Sequence, residues 1–235
     1  MSDFKYKRIL LKLSGEAFSA KDGQAFDMNL LEQISNEVKK IIESGVEVAV
    51  VIGGGNIIRG ASQEWMNREN ADYMGMLATV INSMTFGEVL NKYGVKAKVF
   101  SAVPMEVVCD TYEISAADKY LSDGCVTILG GGTGKPYVTT DTTATLRATE
   151  LNCDCVLKAT KVDGVYDSDP VKNPDAKRFD KITYAETLER GLKVMDDTAI
   201  EMAQKNNIPL IVFNLFEKDN IVKVLQGQDI GTLVS

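Results

Sequence analysis

The sequence predicts an α/β fold, a three-layer α-β-α sandwich around a mainly parallel sheet. Three observations carry this. Short apolar runs alternate with amphipathic helical stretches, the pattern of repeated β-α units. Two of the runs, VAVVI at 48–52 and VTIL at 126–129, are almost continuously apolar, as strands covered on both faces are. Three runs end in glycine-bearing turns, where an open α/β sheet presents its ligand site.

Taken in order, Ile9–Leu13 reads as a buried strand ending in Ser14-Gly15-Glu16. Asp27 can cap a helix whose apolar face is Leu30, Leu31, Ile34, Val38, Ile41 and Ile42, with Gly45 as its stop. Val46–Ile52 is the next strand and runs into Gly53-Gly54-Gly55. A second long helix is carried by Met74, Leu77, Ala78, Ile81, Thr85 and Leu90 and stops at Gly94. Its methionines Met74, Met76 and Met84 read as core or subunit interface. Strands follow at about Ala97–Ala102 and Val126–Leu129, the latter leading into Gly130-Gly131-Gly132-Thr133-Gly134. Asp141 opens a helix to about Leu151, and Cys155–Ala159 is another strand. The stretch 161–181 reads as loop. Helices near 184–190 and 196–206, a strand Leu210–Phe213 and a helix 218–226 complete the chain. One domain is expected, softly divided near residue 155.

Composition removes several chemistries. The 235 residues include no histidine, and 26 basic against 33 acidic residues leave a net charge of −7. There can be no Ser-His-Asp or Cys-His nucleophile, no histidine base and no histidine-held zinc or haem. The acidic balance argues against sequence-independent binding of nucleic acid or of anionic membrane. Cys109, Cys125, Cys153 and Cys155 form no C-x-x-C pair and read as buried free thiols of a reducing compartment. The first residues lack the apolar core of a signal peptide, and no run approaches the ~18 apolar residues of a membrane span. A cytoplasmic location is the expectation.

Glycine lets backbone N–H groups approach phosphate oxygens closely, so three such turns on one sheet point to an anion site, most simply polyphosphate. G-x-x-x-x-G-K-[ST] is absent, as are a dinucleotide G-x-G-x-x-G and the protein-kinase signatures. Lys12, between Leu11 and Leu13 in an apolar strand, points either to a sheet edge or into a site. Arg59, just after GGGNII, could fork onto phosphate. Asp196 either caps a late helix, orients Lys12 or binds Mg2+.

At these residues the chain resembles the bacterial-type uridylate (UMP) kinases of the amino-acid-kinase superfamily. The matching segments are KLSGE at 12–16, VVIGGGNIIRG at 50–60, MNRENADYMGMLATVIN at 66–82, GGTGKPYVTTDTTATLRA at 131–148, LKATKVDGVYDSDP at 157–170 and KVMDDTAI at 193–200. KLSG and GGGN mark the superfamily; the combination of RG, D-x-MGMLAT, TG-x-P-x-x-TTD and KATKVDGVY is specific to the uridylate kinases.

The resemblance implies ATP + UMP → ADP + UDP with Mg2+. It implies catalytic roles for Lys12, Arg59 and Asp196. Lys12, Leu13, Ser14, Gly15, Gly55 and Arg59 would face the ATP phosphates, and Thr160, Tyr166 and Asp169 the adenosine. Gly54 and Asp72 would contact UMP, Asp72 through the ribose hydroxyls. The segment Thr133, Gly134, Lys135, Pro136, Tyr137, Val138, Thr139 and Thr140 would wrap it. Residues 1–155 would form the UMP-binding and dimerisation part, and 156–235 the ATP-binding part. GTP would act at Ala20, Lys21, Asp22, Gly23, Gln24 and Ala25, with UTP as inhibitor, in a homohexamer built as a trimer of dimers. No direct side-chain ligand to magnesium is assigned, and neither membrane nor nucleic acid is required.

Residue chemistry supports part of this unaided. A neutral uracil needs hydrogen bonds, which a loop of hydroxyls and amides supplies. A ribose diol suits one carboxylate. The acceptor oxygen is already anionic, so a chain without histidine needs no base to activate it. Two alternatives stay open: a superfamily kinase acting on a carboxylate or carbamate, and a nucleotide-binding protein without turnover.

Overall fold

The computed structural model describes residues 4–19, 26–58 and 65–235. The roles read for Arg59 and for Ala20 to Ala25 lie outside the described residues. Strand β1 (Arg8–Leu13) is followed by α1 (Met28–Glu43) and β2 (Glu47–Ile52). Asp27 caps α1 by accepting from the Leu30 N–H at 3.1 Å. Next come α2 (Arg68–Lys92), β3 (Ala97–Ser101), β4 (Asp110–Thr111), α3 (Ile114–Ser122), β5 (Val126–Gly130), α4 (Thr140–Glu150) and β6 (Cys155–Thr160). The remainder is β7 (Val165–Tyr166), β8 (Arg178–Phe179), β9 (Lys181–Ile182), α5 (Tyr184–Glu189), α6 (Asp197–Asn206), β10 (Leu210–Asn214), α7 (Asn220–Leu225) and β11 (Gly231–Val234).

The large sheet has the order β4-β3-β5-β2-β1-β6-β10-β11-β9. Every pairing from β4 to β10 is parallel, and β11 turns back antiparallel to β10. Alternation along a strand sends neighbouring side chains to opposite faces. Ile9, Leu11 and Leu13 therefore join one core with α1, α2 and α7, while Leu10 joins a second core with α3, α4, α5 and α6. Two cores on one sheet are the three layers that the alternating pattern predicts.

The loop read at 161–181 contains the β7–β8 pair and the first residue of β9. Helix α3 and strand β11 leave little periodic signal in the sequence because both are short: α3 buries only Ala117 and Leu121, barely one turn of period. The reading of α2 needs correction. Met74, Leu77 and Ile81 are exposed, at 42%, 50% and 48%. Ala78 and Leu90 of the expected row are buried, and Ala71, Thr79, Ser83, Phe86 and Gly87 make up the rest of the buried side. The helix is apolar on both faces, so periodicity alone could not tell which one the sheet takes; small residues decide it by letting the helix approach closely. Met76 is core, whereas Met74 and Met84 are exposed. All four cysteines are free, with Cys109 half-buried and the others buried. Burial pushes the Cys153 thiol up to about 12, which suits an inert core residue. Among the described residues no helix is long and apolar enough to cross a membrane.

Candidate active site

Strand parity sets the site. Lys12 lies on the same face of β1 as Leu10, toward α4. Lys158 lies on the equivalent face of β6, and the pairing of the two parallel strands puts Lys12 directly beside Lys158. Two ammonium groups on adjacent strands need a counter-charge, and α4 supplies it from its first turn. Asp141 Oδ2 accepts from Lys158 Nζ at 2.7 Å, and Asp141 Oδ1 lies 2.7 Å from Lys12 Nζ. The Lys12 contact is a short ion pair that holds the ammonium group against the carboxylate. Lys158 also donates to the Val194 carbonyl.

Electrostatics follow from this packing. Burial pushes the Asp141 carboxyl upward, but the two ammonium groups outweigh it and hold the group below the usual carboxylate range. Burial lowers Lys158 from the usual lysine value, and Asp141 opposes that shift only in part. Asp141 is thus the carboxylate that orients Lys12. Asp196 is not bonded to Lys12: it caps α6 through the Ala199 N–H at 3.0 Å and accepts from the hydroxyls of Thr142, at 2.7 Å, and Thr139. The helix that Asp141 is expected to open is capped two residues earlier, by Thr139, which accepts from the Asp141 and Thr142 N–H groups. Lys158 carries in the sequence the same signal as Lys12 in RILLKL, a lone lysine in an apolar strand, CVLKAT.

The glycine turns converge beside this centre. A Cβ on Gly15 would come 2.3 Å from the Gly53 carbonyl oxygen and 2.7 Å from the Gly55 nitrogen, so only glycine lets the first two turns meet. Leu13 closes the contact by accepting from the Gly53 N–H at 2.9 Å. The buried amide of Asn82 donates to the Gly53 carbonyl at 2.7 Å and bonds Asn56 reciprocally. Thr140, at the N-terminus of α4, has its hydroxyl near the Gly53 Cα, within 3.7 Å of where a Cβ would stand. Ser14 immediately precedes Gly15 in an extended conformation.

On one side, Asp72 faces the segment 133–140. Its Oδ2 accepts from the Tyr137 N–H at 2.8 Å, and both oxygens pair with Arg68 Nε at 2.9 Å. Tyr137 is exposed and holds a φ of +66°, a strained conformation for an aromatic residue and one that clusters at ligand-binding loops. Thr133 bonds Lys135 within the loop. Gly54 lies in the turn after β2, and Gly134, Pro136 and Val138 lie in the segment that Asp72 bonds.

On the other side, Thr160, Tyr166 and Asp169 line a single cleft of about 630 Å³ that also reaches Lys158 and Val194. Tyr166 O–H donates to Asp163 at 2.5 Å, and Thr160 donates to the Val162 carbonyl at 2.7 Å. Lys158 thus belongs both to the charged centre and to this cleft.

Among the described residues, the donor set does not fit a metal held by the protein. Among the described residues no group of three or more His, Cys, Asp or Glu could hold an ion. Both oxygens of Asp141 face ammonium groups, and both of Asp196 accept hydrogen bonds.

Residues 7–214 match the Amino acid kinase family. Two solved structures align over nearly their whole lengths. A UMP kinase from Bacillus anthracis is 40% identical, covers 98% of this chain and 96% of its own, and superposes with a TM-score of 0.94. A UMP kinase from Ureaplasma parvum is 38% identical over 98% of this chain and 99% of its own, with a TM-score of 0.93.

Proposed function

The chain belongs to the amino acid kinase family, and from that premise we propose that it is a UMP kinase, transferring the γ-phosphoryl group of ATP to UMP to give ADP and UDP in pyrimidine nucleotide synthesis. The observation that carries the reading is the Lys12–Asp141–Lys158 set at the meeting of the glycine turns. It offers two cations and a carboxylate already occupied by them. That suits a reaction in which an anionic oxygen attacks phosphorus, and it does not suit proton abstraction.

The UMP phosphate oxygen forms the new P–O bond, and the bond from the bridging oxygen to the γ-phosphorus breaks, its electron pair leaving on ADP. No proton has to move. The chain aligns the two phosphates and screens their repulsion. Lys12 would bridge donor and acceptor, Lys158 would meet the ATP phosphates from its cleft, and the N–H groups of Gly15, Gly54 and Gly55 would take phosphate oxygens. Asp141 holds both lysines in place through its two ion pairs. Arg59 is assigned to phosphate from its motif. Asp196 would hold the α4 entrance through Thr139 and Thr142. Asp72 and the 133–140 segment would take UMP, with ATP adenosine at Thr160, Tyr166 and Asp169, so that residues 1–155 and 156–235 serve acceptor and donor. Magnesium would arrive with ATP, held by its phosphates and water.

Regulation by GTP and UTP, a cytoplasmic location and a hexamer built from dimers belong to the same reading. The exposed row on α2 supports self-association.

ADP release measured with a panel of nucleoside monophosphates, amino acids and carbamate tests the assignment. Turnover with UMP and not with the carboxylates is the expected result. Turnover with a carboxylate or carbamate, or ATP binding without ADP release, overturns it.

A further inference from the structure

Arg147, in the last turn of α4, takes no part in the charged centre. Its guanidinium is buried, with 7% of the side chain exposed. A buried guanidinium keeps its charge and needs fixed acceptors. Nη1 donates to Glu150 Oε2 at 2.6 Å, Nη2 donates to the Gly132 carbonyl at 3.2 Å, and the group stacks 3.9 Å above the Tyr112 ring. Tyr112 O–H donates to the same Glu150 oxygen at 2.8 Å, and its N–H donates to the Ser101 carbonyl at 2.8 Å. Burial, then the bond to Glu150, push the Tyr112 hydroxyl above its ordinary value, so it remains a donor. Carboxylate and ring together aim the guanidinium at one loop carbonyl.

That loop is closed on itself by the Gly134 N–H, which donates to the Gly131 carbonyl at 3.0 Å, and side chains from two helices fix it from outside. Gly131, Gly132 and Gly134 have φ of +73°, +58° and +74°, and glycines hold such a path with no side chain to lock it. Thr79 Oγ1 accepts from the Gly131 N–H at 2.8 Å on the α2 side. Arg147 holds the Gly132 carbonyl from the α4 side. Between them they fix the peptide groups that precede Gly131 and follow Gly132, the latter leading directly into the segment 133–140.

We propose that Arg147, held by Glu150 and Tyr112, is a positioning residue of the acceptor site, setting the direction in which the 133–140 segment meets UMP. This rests on the reading that the segment binds UMP.

The test uses the full chain with Arg147→Met, Arg147→Lys and Tyr112→Phe, assayed at equal folded fraction, with amide hydrogen exchange on each. Loss of one charge-assisted hydrogen bond predicts a KM for UMP raised about tenfold in Arg147→Met, with the KM for ATP within a factor of ~2 and faster exchange over 131–138. Arg147→Lys, which keeps the charge, should restore part of the UMP affinity. Tyr112→Phe, which keeps the stack, should do less harm than Arg147→Met. If Arg147→Met does not fold, the same split read on Arg147→Lys decides. Equal changes in both KM values, or unchanged UMP KM and loop exchange, overturn the proposal. UMP added to the unsubstituted chain separates the two ideas. If it fails to slow exchange over 133–140 while Arg147→Met still speeds it, the proposal falls through its premise, the UMP-binding role of the segment.

Discussion

At the residue scale, the centre turns on one carboxylate between two lysines. Lys158 occupies the position beside Lys12 on the neighbouring strand and reaches the donor cleft. Lys158→Met should therefore lower kcat by about 10²–10³-fold, the loss that follows removal of one preorganised charge-stabilising donor. A steady-state assay with UMP and ATP checks this, and a kcat within a few-fold of normal would remove Lys158 from the chemistry. Asp141→Asn leaves two buried ammonium groups facing each other, which costs about 3–5 kcal/mol. The sign of its pH dependence is set by the lowered carboxyl. A carboxyl whose pKa is lower folded than unfolded stabilises the fold above its unfolded value, about 3.9, and loses that contribution as pH falls through its folded value. Thermal unfolding should then show a large Tm gap between the unsubstituted chain and Asp141→Asn at neutral pH, closing in acid. A gap that does not depend on pH would contradict the ion-pair assignment.

At the element scale, caps made by distant residues connect segments that local sequence treats separately. Helix α7 begins after Asp219, which holds a φ of +63° and caps nothing with its own side chain. Glu37 on α1 does the capping, accepting from the Asp219 N–H at 2.9 Å and the Ile221 N–H at 3.0 Å. Glu37→Ala should strand the buried Ile221 N–H at about 1–3 kcal/mol, with a smaller loss at the half-buried Asp219 N–H, and lower the Tm accordingly. Glu37→Gln, which keeps one acceptor oxygen, should cost less. Equal losses in the two variants would show that packing, not capping, is at stake. The same logic explains what could be read from sequence here. Asp27 is a local cap and was visible beside its helix. Thr139, Asp141 and Asp196 lie close in space because α4 and α6 pack together, and spacing along the chain carries no trace of that.

At the scale of the whole molecule, α2 presents Tyr73, Met74, Leu77, Ile81 and Met84 to solvent along one side. Rows of large apolar side chains of this kind mark contact surfaces rather than ordinary exterior. Leu77→Glu with Ile81→Glu should reduce the sedimenting mass below that of the unsubstituted chain while leaving the monomer's circular dichroism unchanged. An unsubstituted chain that sediments as a monomer would exclude the interface.

The sequence by itself determined the layers, the strands that bear glycine turns, and the kind of chemistry. Apolar period and buried-strand composition are local properties, and a chain without histidine whose glycine turns bear a lysine already favours phosphate over proton transfer. Only the tertiary structure decided the rest. Which carboxylate faces Lys12, that Lys158 stands beside it, and which side of α2 is buried all depend on strand register and helix docking. Those are set by how two elements far apart in sequence fit, so they are written in packing and not in any single segment.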